Sequence, residues 1–190
     1  MKEIIENSLQ EHLSVAEKFV NNPGTAVAVE QAARLIADSI KNGGKVITCG
    51  NGGSLCDATH FAEELTGRFR GSRNPLPAIA INDPAHITCV TNDYSFEEIF
   101  AREVEALGRP GDVLCGFSTS GTSKNVVKAA QKAREKGMKV IGFSKAGETP
   151  LAGLSDVLIA VPHNSFSDRI QEMHITAVHI IIEVVETLVR

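Results

Sequence analysis

Apolar residues at the start of the chain recur at the three-to-four-residue spacing of a helix. From residue 2 to about 21 they fall at Ile4, Ile5, Leu9, Leu13, Ala16, Phe19 and Val20, and Asn21-Asn22-Pro23-Gly24 then breaks the pattern. A second helical stripe follows over residues 25–41, through Val27, Val29, Ala32, Ala33, Leu35, Ile36 and Ile40, and stops at Asn42-Gly43-Gly44, a C-cap signal. The period then changes. Residues 45–49 form a short β-branched run that enters the glycine turn Gly50-Asn51-Gly52-Gly53, and Ser54 is placed to cap a helix running to about Arg68.

The strand-loop-helix unit recurs along the rest of the chain. Residues 78–81 form a second strand after the proline-rich linker 74–77; a short helix ending near Asn92-Asp93 and a further helix over 95–107 follow. Residues 112–117 are a third strand, 118–123 a polar turn and 124–136 a helix; strands at 139–143 and 157–161 precede a last helix over 168–189, about 33 Å long. Near-continuous apolar strands alternating with helices predict a doubly wound α/β fold, in which a five-stranded parallel sheet is flanked by helices. Residues 1–190 are expected to form a single domain. The last helix is apolar on nearly every side after His174, which predicts that it meets a partner chain in a homo-oligomer, with the leading helix as a further candidate.

Composition narrows the class without changing the fold. A hydrophobic share of 43% and a charged share of 22% are ordinary for a globular protein, and a net charge of -4 gives no footprint for nucleic acid. No apolar run reaches membrane-spanning length and the acidic amphipathic start is not a targeting segment, so the expected location is the cytoplasm, with no membrane partner. Cys49, Cys56, Cys89 and Cys115 form no CxxC pair and are expected to be buried free thiols.

The chemistry lies in the turns and in two helices. A GxGxxG dinucleotide fingerprint starting at Gly50 would need glycine where Leu55 stands, and no GxxxxGK[ST] loop exists. The loop 118–123, Ser-Thr-Ser-Gly-Thr-Ser, offers five hydroxyls in six positions before a helix N-terminus. That is more than one cap requires, and it suits a phosphate monoester that is held and not transferred. His60 and Glu64 share a helix face at i, i+4; Gln171 and His179 lie about 80° apart around the last helix and can approach one point, whereas His174 diverges from His179 by about 140°. A histidine in an apolar stretch needs a partner, so this set points either to proton transfer or to a zinc-like site, with Gln171 a poor fourth ligand.

The segments CGNGGS, HFAEELTGR, STSGTS and DRIQEMHI together resemble the phosphoheptose isomerases (sedoheptulose 7-phosphate isomerases) of the sugar isomerase, or SIS, domain family, over nearly the whole chain. The resemblance implies a homotetramer converting D-sedoheptulose 7-phosphate to D-glycero-D-manno-heptose 7-phosphate through an enediol, the first step towards ADP-heptose for the lipopolysaccharide core. It assigns the phosphate to Ser118, Thr119, Ser120 and Ser123. Asn51, Gly52, Gly53, Ser54, Glu64, Asn92, Asp93, Asp168 and Gln171 would bind the sugar, with Glu64 as base and His179 as acid. It also implies one zinc per subunit, held by His60, Glu64, Gln171 and His179. One departure is Leu55, where some relatives carry histidine. The alternative is a non-enzymatic SIS-domain regulator binding the replication initiator DnaA, which would share fold and loops but need neither Glu64 nor His179.

Overall fold

The computed structural model describes every residue except 164 and 190. Helices α1 (Lys2–Asn21) and α2 (Pro23–Lys41) are separated by Asn22 alone, because Pro23 starts α2 in place of breaking it. The Asn22 side chain accepts the Gly24 N–H at 2.9 Å and caps the new helix. There follow β1 (Val46–Gly50), α3 (Gly53–Thr66), β2 (Ala78–Ala80), α4 (Pro84–Asp93), a 3-10 turn at Phe96–Glu98, α5 (Ile99–Leu107), β3 (Val113–Phe117) and α6 (Lys124–Glu135). The chain closes with β4 (Lys139–Lys145), α7 (Pro150–Leu154), β5 (Val157–Val161) and α8 (Ser167–Leu188). The predicted elements form; α7 is the addition, a short turn of helix started by the Thr149 cap and Pro150.

All strand pairs are parallel, in the order β2-β1-β3-β4-β5, so the doubly wound five-stranded fold is as expected. Alternation along each strand divides the core between the two faces. Val113, Cys115, Phe117, Ile141 and Phe143 face α2, α3 and α8, while Leu114 and Val140 pack with Ile99, Phe100, Val104 and the buried side of α6. From β1 the chain steps outwards to β2 and then returns across β1 to β3. The crevice at the carboxyl ends of β1 and β3 is therefore the topological switch point, where sheets of this kind bind ligands.

One expectation changes. Of the four cysteines only Cys49 and Cys115 are buried; Cys56 and Cys89 lie on the outer sides of α3 and α4, and all four are free. Burial pushes the Cys49 thiol up to about 12 and Cys115 higher still, so both are inert in the core. The last helix, part of whose surface is expected to meet a partner chain, is covered on one side by its own chain and leaves Ile180 exposed on the other. Ala177, Val178, Ile181, Ile182 and Val185 are fully buried against α2 and α3, while Thr176, Ile180, Glu183 and Thr187 form its outer face. The uncovered apolar stripe is on α1, where Ile4, Ile5, Leu9 and Leu13 are 66, 60, 61 and 51% exposed.

His174 is buried edge-on to Phe117 and Phe143, with ring centroids 6.1 and 5.7 Å away. Neither ring nitrogen has a well-formed hydrogen bond among the described residues, and the Ser144 backbone offers only a weak attraction. Burial pushes its pKa down from 6.5 to about 4. Above pH 6.5 the imidazole is neutral in folded and unfolded chains alike. Between the two values only the unfolded chain takes the proton, so stability declines as pH falls through that window, by ~3 kcal/mol in all. Urea melts of wild type and His174→Leu at pH 7 and pH 5 measure this: the wild type should lose more stability than the variant, and equal losses would refute it.

Candidate active site

The first wall of the site is the glycine turn after β1. Gly52 adopts φ +55°, a left-handed conformation open to glycine, and is the residue that precedes α3. Ser54, predicted to be the cap, instead lies inside the first turn of the helix, buried, and its hydroxyl accepts the Gln171 Nε2–H at 3.4 Å. A Cβ on Gly53 would stand 2.6 Å from Gln171 Oε1, so glycine here lets α8 lay its amide over the start of α3.

The second wall is the loop 118–123 after β3. Ser118 is buried and donates its hydroxyl to Ser123 Oγ at 2.8 Å; Ser120 and Thr122 hydroxyls pair at 2.8 Å, and the Ser123 N–H points to Ser118 Oγ at 3.3 Å. Thr119 anchors the loop through its carbonyl, which accepts the Lys145 N–H of β4 at 2.9 Å. The hydroxyls of Ser118, Ser120, Thr122 and Ser123 satisfy one another in this state, and each can rotate outwards to donate to an anion at the start of α6. Asn125, two residues past the loop and 2% exposed, joins the two walls: its amide donates to Asn51 Oδ1 at 2.8 Å and accepts from Asn51 Nδ2 at 2.9 Å.

Further along α3, that helix and α8 bring His60, Glu64 and His179 together. His60 Nε2 lies 3.2 Å from Glu64 Oε1 and 3.5 Å from His179 Nε2, and one donor atom from each of the three falls within 4.8 Å of the others. The His179 ring stacks on Phe69 with centroids 5.8 Å apart and meets the His60 ring edge-on at 5.1 Å, which fixes its orientation. Glu64 is turned inwards, its side chain 17% exposed. Arg73 secures the geometry from below. It donates to the Glu64 and Leu65 carbonyls at the end of α3, at 2.6 and 2.8 Å, and to Glu186 of α8 at 2.6 Å.

The remaining expected residues are less tightly grouped. Gln171 lies at the glycine turn. Gly53 is about 10 Å along α3 from His60, so the amide is not among the three donors. Asn92 and Asp93 are exposed at the end of α4, where Asn92 Nδ2 donates to Asp93 Oδ1 at 2.8 Å and the Cys89 thiol to Asp93 Oδ2 at 3.4 Å. Their segment is drawn towards the loop 118–123 by Lys124 and Lys128 of α6, which pair with Glu97 at 2.9 and 3.1 Å. Asp168 points outwards, its side chain 63% exposed beside Arg169.

Three residues escape sequence reasoning. Asn125 sits among ordinary helix residues and Arg73 in a linker that looks like surface loop. Asp57, one turn before His60, has a buried carboxylate oxygen without a partner among the described residues; burial pushes its carboxyl up to about 6, and nearby His60 pulls it the other way. Its spacing from His60 was the available signal.

Comparison with known proteins shows the family of the chain. A family model described as the SIS domain matches residues 11–145. A phosphoheptose isomerase of Serratia proteamaculans is 54% identical over 184 residues, covering 97% of this chain and 95% of its own. The phosphoheptose isomerase of Vibrio cholerae is 52% identical over 185 residues, 97% of each chain. The solved structure of a phosphoheptose isomerase from Neisseria gonorrhoeae aligns with a TM-score of 0.91 at 37% identity, covering 98% of each chain.

Proposed function

The chain belongs to the phosphoheptose isomerases of the SIS-domain family, and we propose that its Glu64 and His179 carry out the proton transfers of that aldose-ketose isomerisation. The enzyme interconverts D-sedoheptulose 7-phosphate and D-glycero-D-manno-heptose 7-phosphate, a step towards ADP-heptose and the lipopolysaccharide core. The observation that carries the residue assignment is the convergence of one carboxylate and two imidazoles, with a donor atom of each within 4.8 Å of the others.

The reaction breaks a C1–H bond and forms a C2–H bond, while one proton moves from O1 to O2. Glu64, partly withdrawn from solvent, is the base that takes the C1 proton to give an enediol and returns it to C2. His179, oriented by Phe69 and His60, carries the oxygen proton. Ser118, Thr119, Ser120 and Ser123 with the α6 N-terminus hold the phosphate, and Asn51, Gly52, Gly53, Ser54, Asn92, Asp93, Asp168 and Gln171 surround the sugar. A regulator that only bound a protein would have no use for Glu64 and His179 facing each other.

The same residues fit a zinc ion. Ligands on a tetrahedral zinc with bonds near 2.0 Å stand about 3.3 Å apart; the His60–Glu64 and His60–His179 separations are 3.2 and 3.5 Å. An ion there would polarise the substrate carbonyl. Gln171 would reach it only by leaving Ser54. The exposed apolar stripe of α1 and the outward-facing Asp168, Asn92 and Asp93 support a homotetramer in which neighbouring chains cover the site. Free thiols support a cytoplasmic location.

One preparation tests these points together. Assayed on a panel of phosphosugars, the protein should turn over sedoheptulose 7-phosphate, lose at least about tenfold in rate after chelation and recover with Zn²⁺. Light scattering should give four chains of 20.3 kDa. No turnover on any phosphosugar overturns the function; full rate without metal overturns the zinc site; a monomer overturns the assembly.

A further inference from the structure

We propose that Asn125 is a positioning residue: its reciprocal amide pair with Asn51 sets the distance between the phosphate loop and the proton-transfer residues. The pair has two hydrogen bonds, at 2.8 and 2.9 Å, each amide donating once and accepting once. Asn125 is 2% exposed, so water does not compete for these groups, and an unpaired amide there would be costly. Asn51 follows the last residue of β1 and Asn125 is the second residue of α6, so the pair spans the switch-point crevice from one strand-end loop to the other. Asn125 Oδ1 also accepts the Val126 N–H at 3.0 Å, one of the donors that α6 leaves free at its first turn.

The consequence follows from the shape of the substrate. Phosphate and reacting carbons lie at opposite ends of a seven-carbon chain, the phosphate on the hydroxyl loop and the reacting carbons at Glu64 of α3, the helix that the glycine turn starts. Among the described residues, the side-chain polar link between the glycine turn and the unit formed by the hydroxyl loop and α6 is this amide pair, made by the turn's own Asn51 and by Asn125 of α6. When the link is cut, each half still binds its own end, but the carbon to be deprotonated is no longer held at the base. Misplacement of that kind lowers kcat more than it weakens binding of the phosphate. Because both partners are neutral amides, the link does not titrate, and its loss leaves the pH profile in place.

The inference rests on the isomerase function proposed above, and the test separates the two. Asn125→Ala, Asn51→Ala and the double variant are compared with wild type for kcat and KM on sedoheptulose 7-phosphate and for competitive inhibition by inorganic phosphate. Asn125→Ala should lower kcat by about tenfold to a hundredfold with an unchanged pH profile. Inorganic phosphate should inhibit it within about threefold of wild type, because the hydroxyls of the loop are untouched. The double variant should be no slower than Asn51→Ala, as expected of residues acting as one unit. Asn125→Asp keeps both accepted bonds but loses the one donated to Asn51 Oδ1, so it should retain the α6 cap and lose part of kcat, with a lowered melting temperature from the carboxylate buried against Asn51 Oδ1. Additive losses, or phosphate inhibition weakening in step with kcat, would show that Asn125 only caps α6 and would overturn the inference. A wild-type enzyme inactive on sedoheptulose 7-phosphate would instead overturn the function.

Discussion

Glu64→Gln is expected to lower kcat on sedoheptulose 7-phosphate by about a hundredfold to ten-thousandfold, with KM within a few-fold of wild type. Glutamine fills the same space and can still meet His60 and the Arg73-capped end of α3, so the fold has no reason to change. What disappears is the basic carboxylate that takes the C1 proton, since the amide oxygen accepts hydrogen bonds but is too weak a base. His179→Ala should be comparably slow for a different reason, since it leaves the carbon proton removable but strands the oxygen proton. Proton NMR of substrate in D₂O separates the two defects. Solvent deuterium should fail to enter C1 or C2 with Glu64→Gln, and should still enter with His179→Ala while product formation stays slow. Zinc content per chain must be measured alongside: loss of rate with zinc retained identifies Glu64 as base, whereas loss of both makes it a ligand first. Undiminished turnover in Glu64→Gln would end the mechanism.

The parts of the fold that follow from local pattern were legible in the chain. The apolar runs of β1, β3, β4 and β5 and the helical stripes of α1, α2 and α6 are visible without coordinates because a buried parallel strand and an amphipathic helix have distinct periods. What depends on packing was not. The apolar circumference of α8 does not say which side its own chain covers; α2 and α3 take the side of Ala177, Val178, Ile181 and Val185, and Ile180 stays outside. Ser54 looks like a cap by residue type, but the left-handed Gly52 starts the helix earlier and turns Ser54 into a partner for Gln171. In the site, the i, i+4 spacing brought His60 to Glu64, and the two-turn spacing on α8 suggested a shared point for Gln171 and His179. The structure keeps the first and divides the second, because the amide of Gln171 is held at the other end of α3.

Arg73 should be the residue outside the reacting groups whose loss costs most. Its side chain is 11% exposed and its partner Glu186 6%, so the pair is withdrawn from water. Removing one member of such a pair leaves an uncompensated buried charge, at a cost of about 3–5 kcal/mol. Arg73→Met should therefore unfold at markedly lower urea concentration than wild type. The guanidinium has a second task that a hydrophobic replacement cannot take over: it satisfies the Glu64 and Leu65 carbonyls where α3 ends, and it brings positive charge to the negative end of that helix. The double variant Arg73→Met with Glu186→Leu removes the stranded charge and should regain most of the lost stability. It should not regain kcat, because the end of α3 would no longer be tied to α8 and Glu64 would no longer be held against His179. Stability and activity thus part company in the double variant. If both return together, Arg73 matters only as one half of an ion pair; if Arg73→Met melts with wild type, the clamp contributes nothing to the fold.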